Sequence, residues 1–188
     1  MKHTLTRQAW RGLFFFFALI LTGTYSTRGE AKDNTWGAIV APGQRFQLLS
    51  NFNNQAVLDK ETGLIWEQCP DLNTKVIWGS PSTTESAGGT CLNKVVGGRA
   101  GWRLPAYEEL KSLGDPSQTP FLPNASPFCS MNFGDPRGLT VSFWSNTTSY
   151  LSADSALAAN SISASGSIIG SKNTATFPVW CVRGGAGR

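Results

Sequence analysis

The sequence runs to 188 residues with 16 Lys+Arg against 12 Asp+Glu, a formal net charge of +4, four cysteines and one histidine, His3. Lys2, Arg7, Arg11 and Arg28 but only one acid, Glu30, lie in the first 31 positions, so residues 32–188 keep 12 Lys+Arg against 11 Asp+Glu. A nearly neutral body without a dense Lys/Arg patch excludes a nucleic-acid binder, and a body without histidine excludes Ser-His-Asp and Cys-His catalysis and His-ligated zinc.

At the start of the chain, Lys2, Arg7 and Arg11 precede the apolar run 13–21, and small or polar residues follow. This order predicts a signal peptide over 1–31, cleaved at Gly29-Glu30-Ala31. The run falls short of the about 20 residues a spanning helix needs, which leaves a retained anchor as the alternative. Residues 32–54 form a polar N-terminal extension. Ala56-Val57-Leu58 and Leu64-Ile65-Trp66 flank the turn 59–63, a β-hairpin with Gly63 available for positive φ and Trp66 buried. From Cys69 to Val96 the chain is rich in Pro, Gly, Ser and Thr, with a poor helix expected over 91–95.

The stretch GWRLPAYEELKSLGDP, 101–116, reads as a strand that hands over to a helix over 105–113. Pro105 suits the first helical position. Tyr107, Leu110 and Leu113 share the buried face, with Glu108, Glu109 and Lys111 toward water. Gly114 and Pro116 stop the helix. The two glutamates diverge by roughly 100° and so do not form an acid–base pair. Five prolines between 115 and 138 exclude a regular helix or central strand, and so long an irregular stretch is expected to be functional or pinned by other chain. A strand over 141–145, exposed strands and a loop over 150–172, and a final strand over 177–183 complete the chain. The fold class is α+β: a small twisted antiparallel sheet with one or two short helices and long loops.

Cys69, Cys91, Cys129 and Cys181 are an even set in an exported chain, without the Cys-x-x-Cys spacing of a metal site, and read as two disulfides. Three pairings are open. Cys69–Cys91, closing a local polar loop, with Cys129–Cys181, tying a loop to the last strand, is the expected one.

Four pieces in this order, VLDKETGLIWEQC at 57–69, GWRLPAYEEL at 101–110, FWSNTT at 143–148 and VWCVRGG at 179–185, resemble the C-terminal domain of the Legionella collagen-like adhesin, a family of unknown function found in secreted bacterial proteins. The resemblance covers about residues 55–185 and places the domain at 55–188. It implies a C-type-lectin-like fold, similar also to the formylglycine-generating enzyme group, with the chain ends close together. No Gly-x-y repeat precedes the domain, so trimerisation through a collagen stalk is not expected.

Trp66, Trp102, Trp144 and Trp180 lie inside the shared motifs and read as core, whereas Trp36 and Trp78, outside them, are the candidates for stacking on a sugar. Arg103 and Arg183 are candidates for presenting guanidinium to a sulfate or carboxylate on a polysaccharide, but the favoured reading pairs them with Glu67, Glu108 or Glu109. No cofactor is expected. Calcium is the one candidate ion, with Asp115, Asn124, Asn132, Asp135 and Asp154 as oxygen ligands, although the Glu-Pro-Asn, Gln-Pro-Asp and Trp-Asn-Asp signatures of sugar-binding lectins are missing. The expected function is a secreted or periplasmic, non-catalytic binding or adhesion module. Its partner would be a polysaccharide or a surface protein, met by a face built from 70–100 and 115–140. The alternatives are a structural subunit of an envelope appendage and a formylglycine-generating-type enzyme using a reactive Cys129.

Overall fold

In the computed structural model, which describes residues 40, 43–79, 85–134, 140–163 and 167–184, the hairpin forms as its alternation predicts. β2 (Ala56–Asp59) pairs with β3 (Ile65–Glu67), Val57 opposite Trp66, and Gly63 takes φ 72° in the turn. The turn is set by Asp59, a fully buried carboxylate. It accepts the Glu61 N–H at 3.0 Å, the Thr62 hydroxyl at 2.9 Å and two N–H groups of Arg45 at 2.9 and 2.8 Å, so its buried charge is both paired and hydrogen-bonded. β1 (Phe46–Leu48) lies outside β2, and β9 (Val182–Arg183) outside β3, giving an antiparallel sheet in the order β1-β2-β3-β9. The first and last parts of the domain thus share one sheet.

Two further antiparallel sheets divide the rest: β4 (Val76–Ile77) with β8 (Thr176–Phe177), and β5 (Ser142–Thr148), β6 (Ser155–Asn160) and β7 (Ser167–Ser171) in that order. The class is α+β as expected, with three small sheets in place of one. β6 is not an exposed strand. It is the middle strand of its sheet, and Ala156, Ala158 and Ala159 are buried there because small side chains let the sheet close on its neighbours. Nor is 177–183 one strand. Pro178 lacks an N–H and its carbonyl accepts from Trp144 N–H at 3.1 Å, so pairing breaks between β8 and β9.

Helix α2 (Tyr107–Leu113) begins two residues later than Pro105 suggests. The Pro105 carbonyl is taken by the Asn146 N–H at 2.7 Å, leaving Ala106 as N-cap. Alanine has no side-chain oxygen to cap with, so only the reciprocal half of a capping box exists: Glu109 accepts the Ala106 N–H at 2.8 Å. Glu109 is therefore buried, contrary to the expectation that both glutamates face water. The first helix, α1 (Ala87–Leu92), lies upstream of the expected 91–95. Ser86 Oγ caps it by accepting the Gly89 N–H at 3.1 Å. Burial of Ala87, Gly89 and Cys91 holds a sequence whose two glycines argue against helix.

The disulfides are Cys69–Cys129, with Cα atoms 5.3 Å apart, and Cys91–Cys181, at 5.5 Å. This corrects the expected Cys69–Cys91 and Cys129–Cys181. Neighbouring hydrogen bonds explain the outcome. Cys129 N–H donates to Gln68 O at 3.3 Å and Gln68 Nε2 to Pro127 O at 2.8 Å, laying the proline-rich segment against the end of β3. Cys181, next to β9, points into the same buried cluster as Cys91.

Two cores result. One gathers Trp66, Trp180, Phe143, Phe128 and Leu110, with the Trp180 ring 6.2 Å from Trp66 and 5.5 Å from Phe128. The other holds Phe52, Trp102, Trp144 and the Cys91–Cys181 bridge. All four motif tryptophans have 0% exposure, as expected. Three indole N–H groups donate to carbonyls, Trp102 to Arg99, Trp144 to Val76 and Trp180 to Glu67; among the described residues Trp66 Nε1 finds none.

Candidate functional site

The segment after α2 stays irregular because its prolines deny it a ladder, and it is pinned at a few backbone points. Asp115 N–H donates to Phe121 O at 2.9 Å, Leu122 N–H to Ser161 O at 3.0 Å and Phe128 N–H to Ala125 O at 3.0 Å. Phe121 seats its ring over Gly114, where an added Cβ would lie 2.3 Å from the ring.

Between this segment, the end of α2 and the hairpin turn lies an open cleft of about 900 Å³. Phe46 with Pro116, Pro120, Pro123 and Pro127 gives it an apolar wall backed by the buried Phe121, Leu122 and Phe128, and Lys111, Asp115, Gln118 and Asn124 contribute a comparable polar share. Arg45 ties its walls together. Besides Asp59 it pairs with Glu61 at 3.0 Å, donates to the Ser112 carbonyl of α2 and stacks its guanidinium 4.7 Å above the Phe46 ring. Lys111 has its ammonium 5.7 Å from the Tyr107 ring and, among the described residues, no carboxylate within ion-pair distance. Asp115 accepts from the Ser117 hydroxyl at 2.7 Å and N–H at 2.9 Å, and these bonds hold its carboxyl below the usual range.

A second cleft of about 820 Å³ lies where 69–75 meets 129–134 and β8. The Cys69–Cys129 bridge forms part of its wall. Asp71 caps the local turn, accepting from Thr74 Oγ1 at 2.6 Å and Asn73 N–H at 2.9 Å, and Thr74 most of all depresses its carboxyl.

The expected binding face is thus only partly assembled. Residues 70–75 do meet 129–134, and 115–128 line the first cleft, but Ala87, Cys91 and Val96 turn into the second core while Leu92 and Val95 stay exposed. Trp36 lies outside the described residues. Trp78 is half-buried, donates through Nε1 to Ser145 O at 2.8 Å and carries the Lys172 ammonium 4.3 Å above its ring. Arg103 is committed to structure, pairing with Glu109 through two 2.7 Å bonds and donating to Gly184 O at 2.7 Å. Glu67 pairs with Lys94 instead, at 2.8 Å to each oxygen, and burial pushes its carboxyl above the ordinary 4.5 even with Lys94 pulling it down. Arg183 lies 5.7 Å above the Phe52 ring, beside Arg99 at 4.9 Å, and among the described residues neither guanidinium has a carboxylate partner.

Of the calcium candidates, Asp115 and Asn124 lie on the first cleft, Asn132 on the second and Asp154 on neither, while Asp135 falls outside the described residues. Among the described residues no three His, Cys, Asp or Glu side chains converge on a point that could hold an ion. Cys129, the candidate reactive thiol, is bridged. Sequence reasoning missed Arg45, Phe46, Phe121 and Phe128 as cleft residues. The signal that could have found them is the bracketing of Phe121 and Phe128 by prolines, which holds bulky apolar groups on an irregular chain.

A family model described as the Lcl C-terminal domain matches residues 55–183. No curated protein and no solved structure gives a significant match.

Proposed function

The chain belongs to the Lcl C-terminal domain family, an adhesin-associated domain, and on that premise we propose that it is an exported, non-catalytic binding module that holds a polysaccharide in the first cleft. The observation that carries the reading is that cleft of about 900 Å³, built on a long proline-rich segment that, among the described residues, no helix or strand claims. Sugar rings present C–H faces to phenylalanine and proline and hydroxyls to a polar edge, which is the division the cleft makes. Export to the periplasm or beyond is supported by the pairing of all four cysteines, since disulfides persist in oxidising compartments.

Binding of the purified protein to immobilised neutral and acidic polysaccharides tests the reading. Gln118→Ala with Asn124→Ala on the cleft edge is expected to weaken binding at least about tenfold, the loss of a few polar contacts. Absence of any polysaccharide ligand, or a bound one indifferent to these changes, overturns it; capture of a surface protein instead would give the site a different partner.

A second reading, in which acidic groups on the polymer are held at Arg183, is supported by the two arginines that share the Phe52 ring, neither with a carboxylate partner among the described residues. Arg183→Gln would then reduce affinity and flatten its dependence on salt, while leaving binding of neutral polymers unchanged.

A further inference from the structure

The two disulfides occupy opposite environments. Cys91 and Cys181 are both 0% exposed and sit inside the second core. Cys69 is exposed, Cys129 is half-buried, and their bridge forms part of the wall of the second cleft. Thiol–disulfide exchange requires a thiolate to approach a sulfur in line with the S–S bond, so access decides which bridge reacts. A sulfur sealed in a core exchanges only when the surrounding structure opens.

The bridges also differ in what holds the chain once each is cut. Around Cys91–Cys181 the strand β9 is clipped on both sides, to β3 and, through paired N–H···O bonds of 2.9 and 3.0 Å, to Arg103. At Cys129 the neighbouring attachments are few: its own N–H to Gln68 O at 3.3 Å, the Gln68 side chain to Pro127 O, and the Met131 N–H to Asn124 within the segment itself. Opening Cys69–Cys129 therefore leaves residues 123–132 held by Phe128 and Met131 in the first core, with Phe133, buried against Phe143 and accepting the Val141 N–H at 3.2 Å, as the fixed end of the segment.

We propose that Cys69–Cys129 is a thiol-exchange site, open to an external dithiol, and that its reduction loosens residues 123–132 while the rest of the domain stays folded around Cys91–Cys181. A thiolate of the dithiol attacks Sγ of Cys69. The S–S bond breaks, and Cys129 leaves as thiolate and takes a proton from water. The second thiol of the reagent then attacks the mixed disulfide, releasing Cys69 as a thiol and closing the reagent into its own disulfide. The protein gains two electrons and two protons, and the dithiol is oxidised. This is a redox control of the segment that lines both clefts, and it stands on accessibility and anchoring alone, independently of which ligand the first cleft takes.

The test treats the native protein with dithiothreitol without denaturant, quenches with an alkylating reagent at intervals and maps the modified cysteines by mass spectrometry. Cys69 and Cys129 are expected to become modified at least about tenfold sooner than Cys91 and Cys181, whose exchange waits on opening of the core. In parallel, amide hydrogen exchange is expected to speed up in 123–132 and to stay slow in β2, β3 and β9. The Cys69→Ser, Cys129→Ser double variant should reproduce that exchange pattern without reductant. Should that variant fail to fold, the time course on the native protein decides the matter alone. Reduction of both bridges together, prior reduction of Cys91–Cys181, or unchanged exchange in 123–132 after Cys69–Cys129 has opened would each overturn the proposal.

Discussion

Glu109 shows how much one side chain can carry. Its carboxylate accepts the Ala106 N–H at the start of α2 and closes a two-bond fork with Arg103, which is bridged through its backbone to β9. One residue thus joins the start of the helix to the sheet. Glu109→Gln keeps the shape but loses the charge, leaving the Arg103 guanidinium partly buried without its partner. The expected cost is about 2 kcal/mol, read as a lower denaturant midpoint at unchanged slope. Glu108, one position along and exposed, should tolerate the same change within about 0.5 kcal/mol.

Glu67 gives a pH dependence whose sign follows from burial. Its carboxyl is raised above 4.5 in the fold, first by desolvation, with Lys94 opposing. Between 4.5 and the folded value the native chain holds more protons than the unfolded chain, so stability falls as pH rises through that window. Lys94→Ala removes the largest opposing attraction and lifts the carboxyl further, so the decline in stability from pH 4.5 toward neutrality becomes steeper. Denaturant midpoints across that range check this, and an equal slope in wild type and variant would contradict it.

At the scale of elements, two glycines fix where chain segments may meet. Gly97 sits at φ 60°, and a Cβ there would lie 2.2 Å from the Phe52 carbonyl oxygen. Gly97→Ala meets backbone on one side and an unfavourable φ on the other, and is expected to cost about 3 kcal/mol or more. Gly114→Ala would press on the Phe121 ring, which can move outward. The expected cost is about 1–3 kcal/mol, together with a change in the first cleft, seen as weakened polysaccharide binding.

The same scale shows which elements the sequence made legible. The β2–β3 hairpin and α2 could be read because their signals are local: alternation around a Gly-ended turn, and a Tyr107-Leu110-Leu113 stripe. Helix α1 could not be placed, since its Gly88-Gly89 pair argues for loop and only burial around Cys91 makes it helical. The inward Glu109 was legible only in part, as one of three partners offered to Arg103. First-turn carboxylates are ordinarily solvated, and the Arg103 that draws this one in acts from outside the helix.

For the molecule as a whole, the class and the burial of the four motif tryptophans were legible because large apolar side chains in short strands have nowhere else to go, but the common core expected of them divides in two, Trp66 and Trp180 in one and Trp102 and Trp144 in the other. The cysteine pairing was not. Preferring the short loop weighs closure entropy, which grows only slowly with length, and ignores the strand order that decides which cysteines meet. The first cleft was half-legible: the proline count marked the segment, but its other wall, Arg45 and Phe46, comes from residues assigned to a featureless extension. Each bridge closes a long loop, with sequence separations of 60 and 90, and on chain-entropy grounds each contributes about 4 kcal/mol. Removing Cys91–Cys181 by Cys91→Ala with Cys181→Ala should lower stability by at least that much, since it also leaves a void in the core. Calorimetry of the variant against the native protein checks it.

The covalent route through Cys91–Cys181 also sets how far the domain can be drawn out under tension. A pull applied at Ala56 and Arg183 passes along 56–91, crosses the bridge and leaves through 181–183. That is about 37 peptide units, roughly 130 Å when taut, against about 127 units and roughly 440 Å for the same span without cross-links. Nearly three quarters of that span lies in a loop shielded from load, so under traction the domain acts as a short tether with a hard stop, whatever the state of the outer bridge.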